Sequence, residues 1–124
     1  MNPDKHPFDH LRIWSTRSEN ELERGVTDES LKTMSKIIDL LGGDDADSIG
    51  NLSTTTFPSY VRIMNARLKD GSHQLADAIL RASEFIEIGQ LEDAKEVYRH
   101  FIKDSTAPFY RRIAEFQLCK LTET

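Results

Sequence analysis

The feature that most constrains this chain is the run from Gly71 to Leu121, which contains three amphipathic helical patterns. Apolar residues recur in it every three or four positions, the spacing that places them on one face of an α-helix. Gly89 and Pro108 separate the patterns, and these residue types commonly end and begin helices. Because no sustained polar/apolar alternation occurs anywhere in the chain, the sequence predicts an all-α fold.

The first half of the chain adds three further helical patterns. One runs from about Phe8 to Arg24, and a second begins after Thr27 as the N-cap and stops at Gly42. A third begins near Pro58, and we expect it to break or bend at Gly71, with Ser72 as a new N-cap. Together the patterns predict a compact bundle of five to seven helices. The predicted core includes Met34, Ile38, Val61, Ile79, Phe85, Val97, Phe101 and Ile113.

The length of 124 residues predicts a single domain, 1–124, because a chain of this size can bury about two-thirds of its unfolded surface. Residues 1–7 are expected to be flexible, and the polar stretch 44–56 is predicted to be a loop with one short turn around Asp47 to Leu52.

Net charge limits the kinds of binding partner that we expect, and cysteine content indicates the cellular compartment. The chain carries 16 basic and 21 acidic residues, a formal net charge of −5, so binding to nucleic acid or to a membrane surface is not expected. No window reaches the roughly 18 apolar residues of a membrane span, and the N-terminus has no secretory signal pattern. Cys119 is the single cysteine and is predicted to be buried. These features predict a soluble, cytoplasmic protein.

Catalytic and metal-binding patterns are weak. His6, Asp9 and His10 crowd one turn, but no cysteine or second histidine pair completes a tetrahedral metal set. Neither His73 nor His100 belongs to a sequence pattern that indicates an activated serine or cysteine nucleophile. The sequence also lacks HExxH, a phosphate-binding glycine loop and a dinucleotide fingerprint. We therefore expect no enzyme activity, no cofactor and no metal.

The segment that starts at Asp45 has part of the spacing of an EF-hand loop. Asp45, Asp47 and Gly50 fall at the first, third and sixth positions. Ile49 occupies the fifth position and Thr56 the twelfth, where calcium needs oxygen ligands and a bidentate glutamate. The prediction is therefore a polar connection without tight calcium binding.

The region from Ala82 to Leu121 resembles one tetratricopeptide (TPR) unit. A helix ends at Gly89, the next helix carries Ala94, and Pro108 starts a third. A solenoid needs about three repeats, and a single unit is visible. A TPR-like helical hairpin within a closed bundle is therefore the favoured interpretation for the C-terminal half.

The order of motifs as a whole resembles the DUSAM family, a small helical domain found as many paralogues in myxobacteria. The resemblance covers about Asp9 to Leu121. It lies in four segments: GVTDE at 25–29, DGSHQLADA at 70–78, GQLEDA at 89–94 and PFYRRIAE at 108–115. The family is named for its unknown function, so the resemblance implies a fold but no activity.

Many diverged paralogues of a small, acidic, non-enzymatic domain suit an immunity protein that neutralises a polymorphic toxin, such as a basic nuclease. The alternatives are an adaptor that binds a helix or peptide in a groove between its own helices, and a degenerate calcium-responsive module.

Two segments offer acidic groups beside apolar anchors for such a partner. The favoured partner-binding residues, Asp44, Asp45, Asp47, Ile49 and Leu52, lie in the polar loop, which can vary without disturbing the core. The second segment carries Glu84, Glu87, Gln90, Glu92 and Asp93 beside Ile88.

Overall fold

The computed structural model describes residues 6–42, 51–105 and 107–122. These residues form six α-helices and no strand: α1 (Pro7–Trp14), α2 (Glu19–Arg24), α3 (Asp28–Leu41), α4 (Phe57–Glu87), α5 (Leu91–Asp104) and α6 (Pro108–Thr122). The predicted all-α fold is therefore confirmed. The chain divides into two compact units, Met1–Leu68 and Lys69–Thr124, and α4 contributes to both. The predicted short turn around Asp47 lies outside the described residues.

In the first unit, α1 packs against α3. The Oγ1 of Thr27 accepts the backbone N–H of Ser30 at 3.1 Å and so caps α3, as predicted. Gly42 ends this helix with a φ of 60°, a conformation that glycine adopts without a Cβ penalty. The most completely buried large side chains of the described residues all lie in this unit: Phe57, Leu11, Met34, Ile37, Leu41, Met64 and Val61.

The prediction of one helix from Phe8 to Arg24 is wrong, because the structure has two helices with a break between Trp14 and Glu19. The Ser15 hydroxyl donates to the Arg12 carbonyl at 2.7 Å. The Ser18 side chain accepts the N–H of Glu21 and caps α2. Hydroxyl groups that bond to nearby backbone compete with the helical hydrogen bonds, which explains the break.

The expectation of a break or bend at Gly71 is also wrong, since α4 runs without interruption from Phe57 to Glu87. Gly71 faces the ring of Tyr110 on α6, and a Cβ at position 71 would overlap that ring, with Cδ2 only 2.6 Å away. The Ser72 Oγ also lies 3.0 Å from the Tyr110 hydroxyl. The glycine therefore permits close helix packing and does not end a helix.

The second unit is built from the C-terminal part of α4 together with α5 and α6, and α5 packs against α6. The helix ends follow the sequence: α4 ends just before Gly89, and α6 begins at Pro108, as predicted. Small residues fill many of the buried positions. The buried apolar residues here are Leu75, Ala78, Ala82, Ala94, Val97, Tyr98, Tyr110 and Ala114.

The predicted core is right in part. Met34, Val61 and Val97 are buried. The other five predicted residues are half-buried: Ile38, Ile79, Phe85, Phe101 and Ile113. In the second unit, alanines and tyrosines occupy most of the buried positions, whereas Phe85 and Phe101 are only half-buried.

The expectation that Cys119 is buried is wrong, because this residue is exposed on α6. Phe116 on the same helix is also exposed, by 59%. The buried side chains of this helix are those of Tyr110 and Ala114. The apolar stripe of α6 is therefore wider than the surface that the helix buries.

We expect an alkaline loss of stability from Tyr98, which is buried on α5 with 3% of its surface exposed. Burial disfavours the phenolate and raises the pKa of Tyr98 above its ordinary value. The unfolded chain loses this proton first as the pH rises through about 10, so the free energy of unfolding should fall there. Urea titrations at increasing pH should show this decline in the wild type and a weaker decline in Tyr98→Phe. Equal slopes in the two proteins would contradict the assignment to Tyr98.

Candidate functional site

The connection between α4 and α5 is a tight turn that is held by the backbone. The N–H of Gln90 donates to the Phe85 carbonyl at 2.8 Å, and the N–H of Gly89 donates to the Ile86 carbonyl at 3.1 Å. Gly89 has a φ of 80°. This pattern of two bonds around a left-handed glycine is the Schellman motif. It fixes the position of Ile88 between the last residue of α4 and the glycine.

Large aliphatic side chains are exposed around this turn. Ile88 is 66% exposed, Ile86 41% and Leu91 38%, and all three lie within six consecutive residues. Single exposed aliphatic residues are common on protein surfaces, whereas a local group of them is typical of contact sites.

Carboxylates surround these aliphatic residues in the sequence. Glu84 and Glu87 lie on the last turns of α4, while Glu92 and Asp93 lie on the first turn of α5, and all four are exposed. Lys95 forms an ion pair with Glu92 at 3.0 Å. We call the exposed aliphatic and acidic residues of this region the turn surface: Glu84, Ile86, Glu87, Ile88, Leu91, Glu92 and Asp93. It combines apolar anchors with negative charge.

A groove adjoins the turn surface, between the C-terminal part of α4 and α5, and has a volume of about 390 Å³. Its lining residues are Arg81, Phe85, Asp93, Glu96, Val97, His100 and Asp104. The five residues from α5, at positions 93, 96, 97, 100 and 104, are related by steps of three or four residues, which places them along one face of the helix. Asp93 belongs both to the groove and to the turn surface, so the two features are continuous.

The first unit has a smaller cleft of about 140 Å³, which is lined in part by Trp14, Leu22 and Val61. Glu19 and Arg62 also line it, and they form an ion pair with each other. Arg17 also lines the cleft and leaves it with a formal charge of +1, so this cleft does not suit a basic partner.

Most of the favoured partner-binding residues, Asp44, Asp45, Asp47 and Ile49, lie outside the described residues. Leu52 is described and is half-buried. By contrast, the structure describes every residue of the second predicted segment, and Glu84, Glu87, Ile88, Gln90, Glu92 and Asp93 are all exposed.

Thr56, which stands at the position of the bidentate glutamate in the EF-hand comparison, takes part in a local turn. Its hydroxyl donates to the Asn51 carbonyl at 2.8 Å, and its Oγ1 accepts the N–H of Ser53 at 2.8 Å. The side chain at the twelfth position, where an EF-hand has its bidentate glutamate, therefore forms hydrogen bonds with the local backbone.

The histidines of α1 have structural contacts. The Nδ1 of His6 accepts the N–H of Phe8 at 3.2 Å and caps the helix. His10 is buried and stacks on Trp14, with ring centroids 5.9 Å apart. Over residues 6–42, 51–105 and 107–122, no three histidine, cysteine or carboxylate side chains are grouped so that they could hold a metal ion. Nor is any helix of these ranges both long and apolar enough to cross a membrane.

Sequence reasoning missed the groove residues Arg81, His100 and Asp104 as members of one site. The signal was present on α5, because positions 93, 96, 100 and 104 repeat at helical spacing. A repeat of this kind also describes an ordinary solvated face, and only the opposing Arg81 and Phe85 of α4 turn it into a groove.

Comparison with known proteins shows the family of this chain. A family model described as a protein of unknown function (DUF2379) matches residues 7–121. No curated protein and no solved structure matches the chain. The resemblance over about Asp9 to Leu121 is thus supported as membership of one uncharacterised family, whereas the DUSAM name stays an interpretation.

Proposed function

We propose that this chain, which belongs to the DUF2379 family of unknown function, is a non-enzymatic domain that binds another protein. The observation that carries the proposal is the exposure of Ile88, 66%, at a backbone-fixed turn between acidic residues. A preformed turn loses little conformational freedom on binding, so its exposed side chains can contribute most of their contact energy to affinity.

The favoured role is that of an immunity protein, which binds a basic toxin in the cytoplasm and blocks it. The formal net charge of −5 supports this role, because an acidic inhibitor attracts a basic target and raises the rate of encounter. In such complexes a few buried apolar or aromatic anchors supply most of the affinity. Ile86, Ile88 and Leu91 are suited to be the anchors, and the neighbouring carboxylates are suited to steer the encounter.

An adaptor that binds a helix or peptide is the second candidate, and the groove favours it. An elongated groove between two helices suits an amphipathic helix, a common mode of peptide recognition. The two candidates use adjoining surfaces that share Asp93, and they differ in the partner and in its effect on the cell.

Genomic context and co-expression distinguish the two roles. An immunity gene is expected to lie beside a toxin gene, and co-expression of this chain should restore growth to cells that produce the toxin. The two proteins should also co-purify, and their affinity should weaken as salt is raised, because salt screens exposed charges. Absence of rescue by a well-expressed chain would contradict the immunity role and favour the adaptor.

A further inference from the structure

The groove between α4 and α5 combines an apolar base with charged edges. Val97 is buried and Phe85 is half-buried, and both line the groove. The remaining lining residues are Arg81, Asp93, Glu96, His100 and Asp104. With histidine neutral, one guanidinium and three carboxylates give the lining a formal charge of −2. A ligand that covers Phe85 and Val97 while it neutralises this charge must be both apolar and cationic.

The two carboxylates that can pair with a partner's cations lie at the ends of the groove-lining part of α5. Glu96 already pairs with Arg99. Asp93 and Asp104 form no ion pair within the part of the chain that the structure describes. They are eleven positions apart, which corresponds to about 16 Å along a helix at about 1.5 Å per residue. A ligand that reaches both therefore needs cations about three helical turns apart.

The groove is formed by two consecutive helices that are joined by the turn at 88–90, an arrangement that places neighbouring helices antiparallel. The furrow between two such helices accepts the side-chain ridge of a third helix. Arg81, on the α4 side, disfavours a cation opposite it and suits a carboxylate there. Cations along one edge of the ligand and a carboxylate along the other would therefore define its orientation.

We propose that this groove binds a basic amphipathic helix of the partner protein. The helix places lysine or arginine side chains against Asp93 and Asp104 and aliphatic side chains over Phe85 and Val97. The inference rests on the proposed protein-binding function and names the kind of segment that the partner inserts.

The test uses the full chain and a fluorescein-labelled synthetic helix of about 18 residues. The helix carries leucines along one face and lysines three turns apart at its edge, and fluorescence anisotropy measures its binding. A control peptide has the same composition with its lysines distributed around the helix. We expect the amphipathic peptide to bind more tightly than the control.

Two double variants with the same change of net charge locate the binding. Asp93→Asn/Asp104→Asn should weaken binding by about fivefold, as the loss of two exposed ion pairs would give. Asp70→Asn/Glu115→Gln, which neutralises two exposed carboxylates outside the groove lining in the same unit, should change the affinity by less than about twofold. If thermal melting shows that the first double variant is less stable, Asp104→Asn alone repeats the comparison, because it leaves the first turn of α5 intact.

Equal losses in the two double variants would show that general acidity attracts the peptide, and they would overturn the inference. Failure of both peptides to bind would overturn it as well. Groove-dependent peptide binding by a chain that rescues no toxin would support the inference while it contradicts the immunity role. Toxin rescue without peptide binding would do the reverse.

Discussion

Replacement of Phe57 by alanine is expected to lower the free energy of unfolding by about 3–5 kcal/mol. Phe57 is 1% exposed at the first position of α4, and its ring meets the ring of Trp14 edge-on with centroids 5.0 Å apart. The alanine variant loses both the buried apolar surface and this aromatic contact, and it leaves a cavity beside Trp14. Urea unfolding followed by the fluorescence of Trp14, the single tryptophan of the chain, measures the effect in the same unit.

Phe116→Ala is the matched control, since Phe116 is 59% exposed on α6 and lies beneath the ammonium of Lys120. This change should alter the free energy of unfolding by no more than about 0.5–1 kcal/mol, the range of exposed contacts. Circular dichroism follows unfolding of both variants. Similar losses for Phe57→Ala and Phe116→Ala would contradict the burial that separates them.

Gly71→Ala is expected to destabilise the protein by about 1–3 kcal/mol, although alanine is the better helix former by about 1 kcal/mol. The reason is steric. The added methyl group would overlap the Tyr110 ring, which is only 3% exposed and has little room to move. Thermal or urea unfolding by circular dichroism gives the sign directly.

The same substitution in a Tyr110→Ala background removes the obstacle. There, Gly71→Ala should raise the stability by up to about 1 kcal/mol, so the two sites should be strongly non-additive. An increase in stability on Gly71→Ala in the wild-type background would contradict the close approach of Tyr110 to α4.

Helix ends that depend on neighbouring residues could be predicted from the sequence. Thr27, Gly42, Gly89 and Pro108 act on the backbone within a few positions of themselves, so their residue types carry the information. The role of Gly71 could not be predicted in this way. It depends on Tyr110 from another helix, and a sequence pattern does not show which ring approaches which backbone.

The break at Ser15 to Ser18 was missed for a different reason. Apolar spacing from Phe8 to Leu22 favoured one helix, and the serine hydroxyls ended it through local backbone hydrogen bonds. The core prediction failed at Phe85 and Phe101 because periodicity identifies a face of a helix but not the depth to which each residue is buried.

The candidate site was predicted in part. The acidic residues around Ile88 could be identified from the order of residues in the sequence, although the loop at Asp44 to Asp47 was the favoured interface. The groove needed the structure, because Phe85 and Arg81 belong to a different helix from Asp93 and Asp104. Its two walls meet through tertiary packing, which the spacing within either helix does not encode.

The central claim is that exposed aliphatic residues of the turn surface anchor a protein partner. Growth rescue and affinity should be measured with the co-expressed toxin for the wild type, Ile88→Ser and Ile13→Ser. Ile13 is the matched control, an isoleucine 39% exposed on α1. Substitution by Asp44→Ser, Asp45→Ser and Asp47→Ser together tests the loop as the alternative interface.

We expect Ile88→Ser to fold normally, to weaken binding by about tenfold or more, as loss of a central anchor does, and to lose rescue. Ile13→Ser should behave as the wild type. Full rescue and unchanged affinity in Ile88→Ser, together with loss of both in the triple loop variant, would contradict the claim and place the interface in the loop.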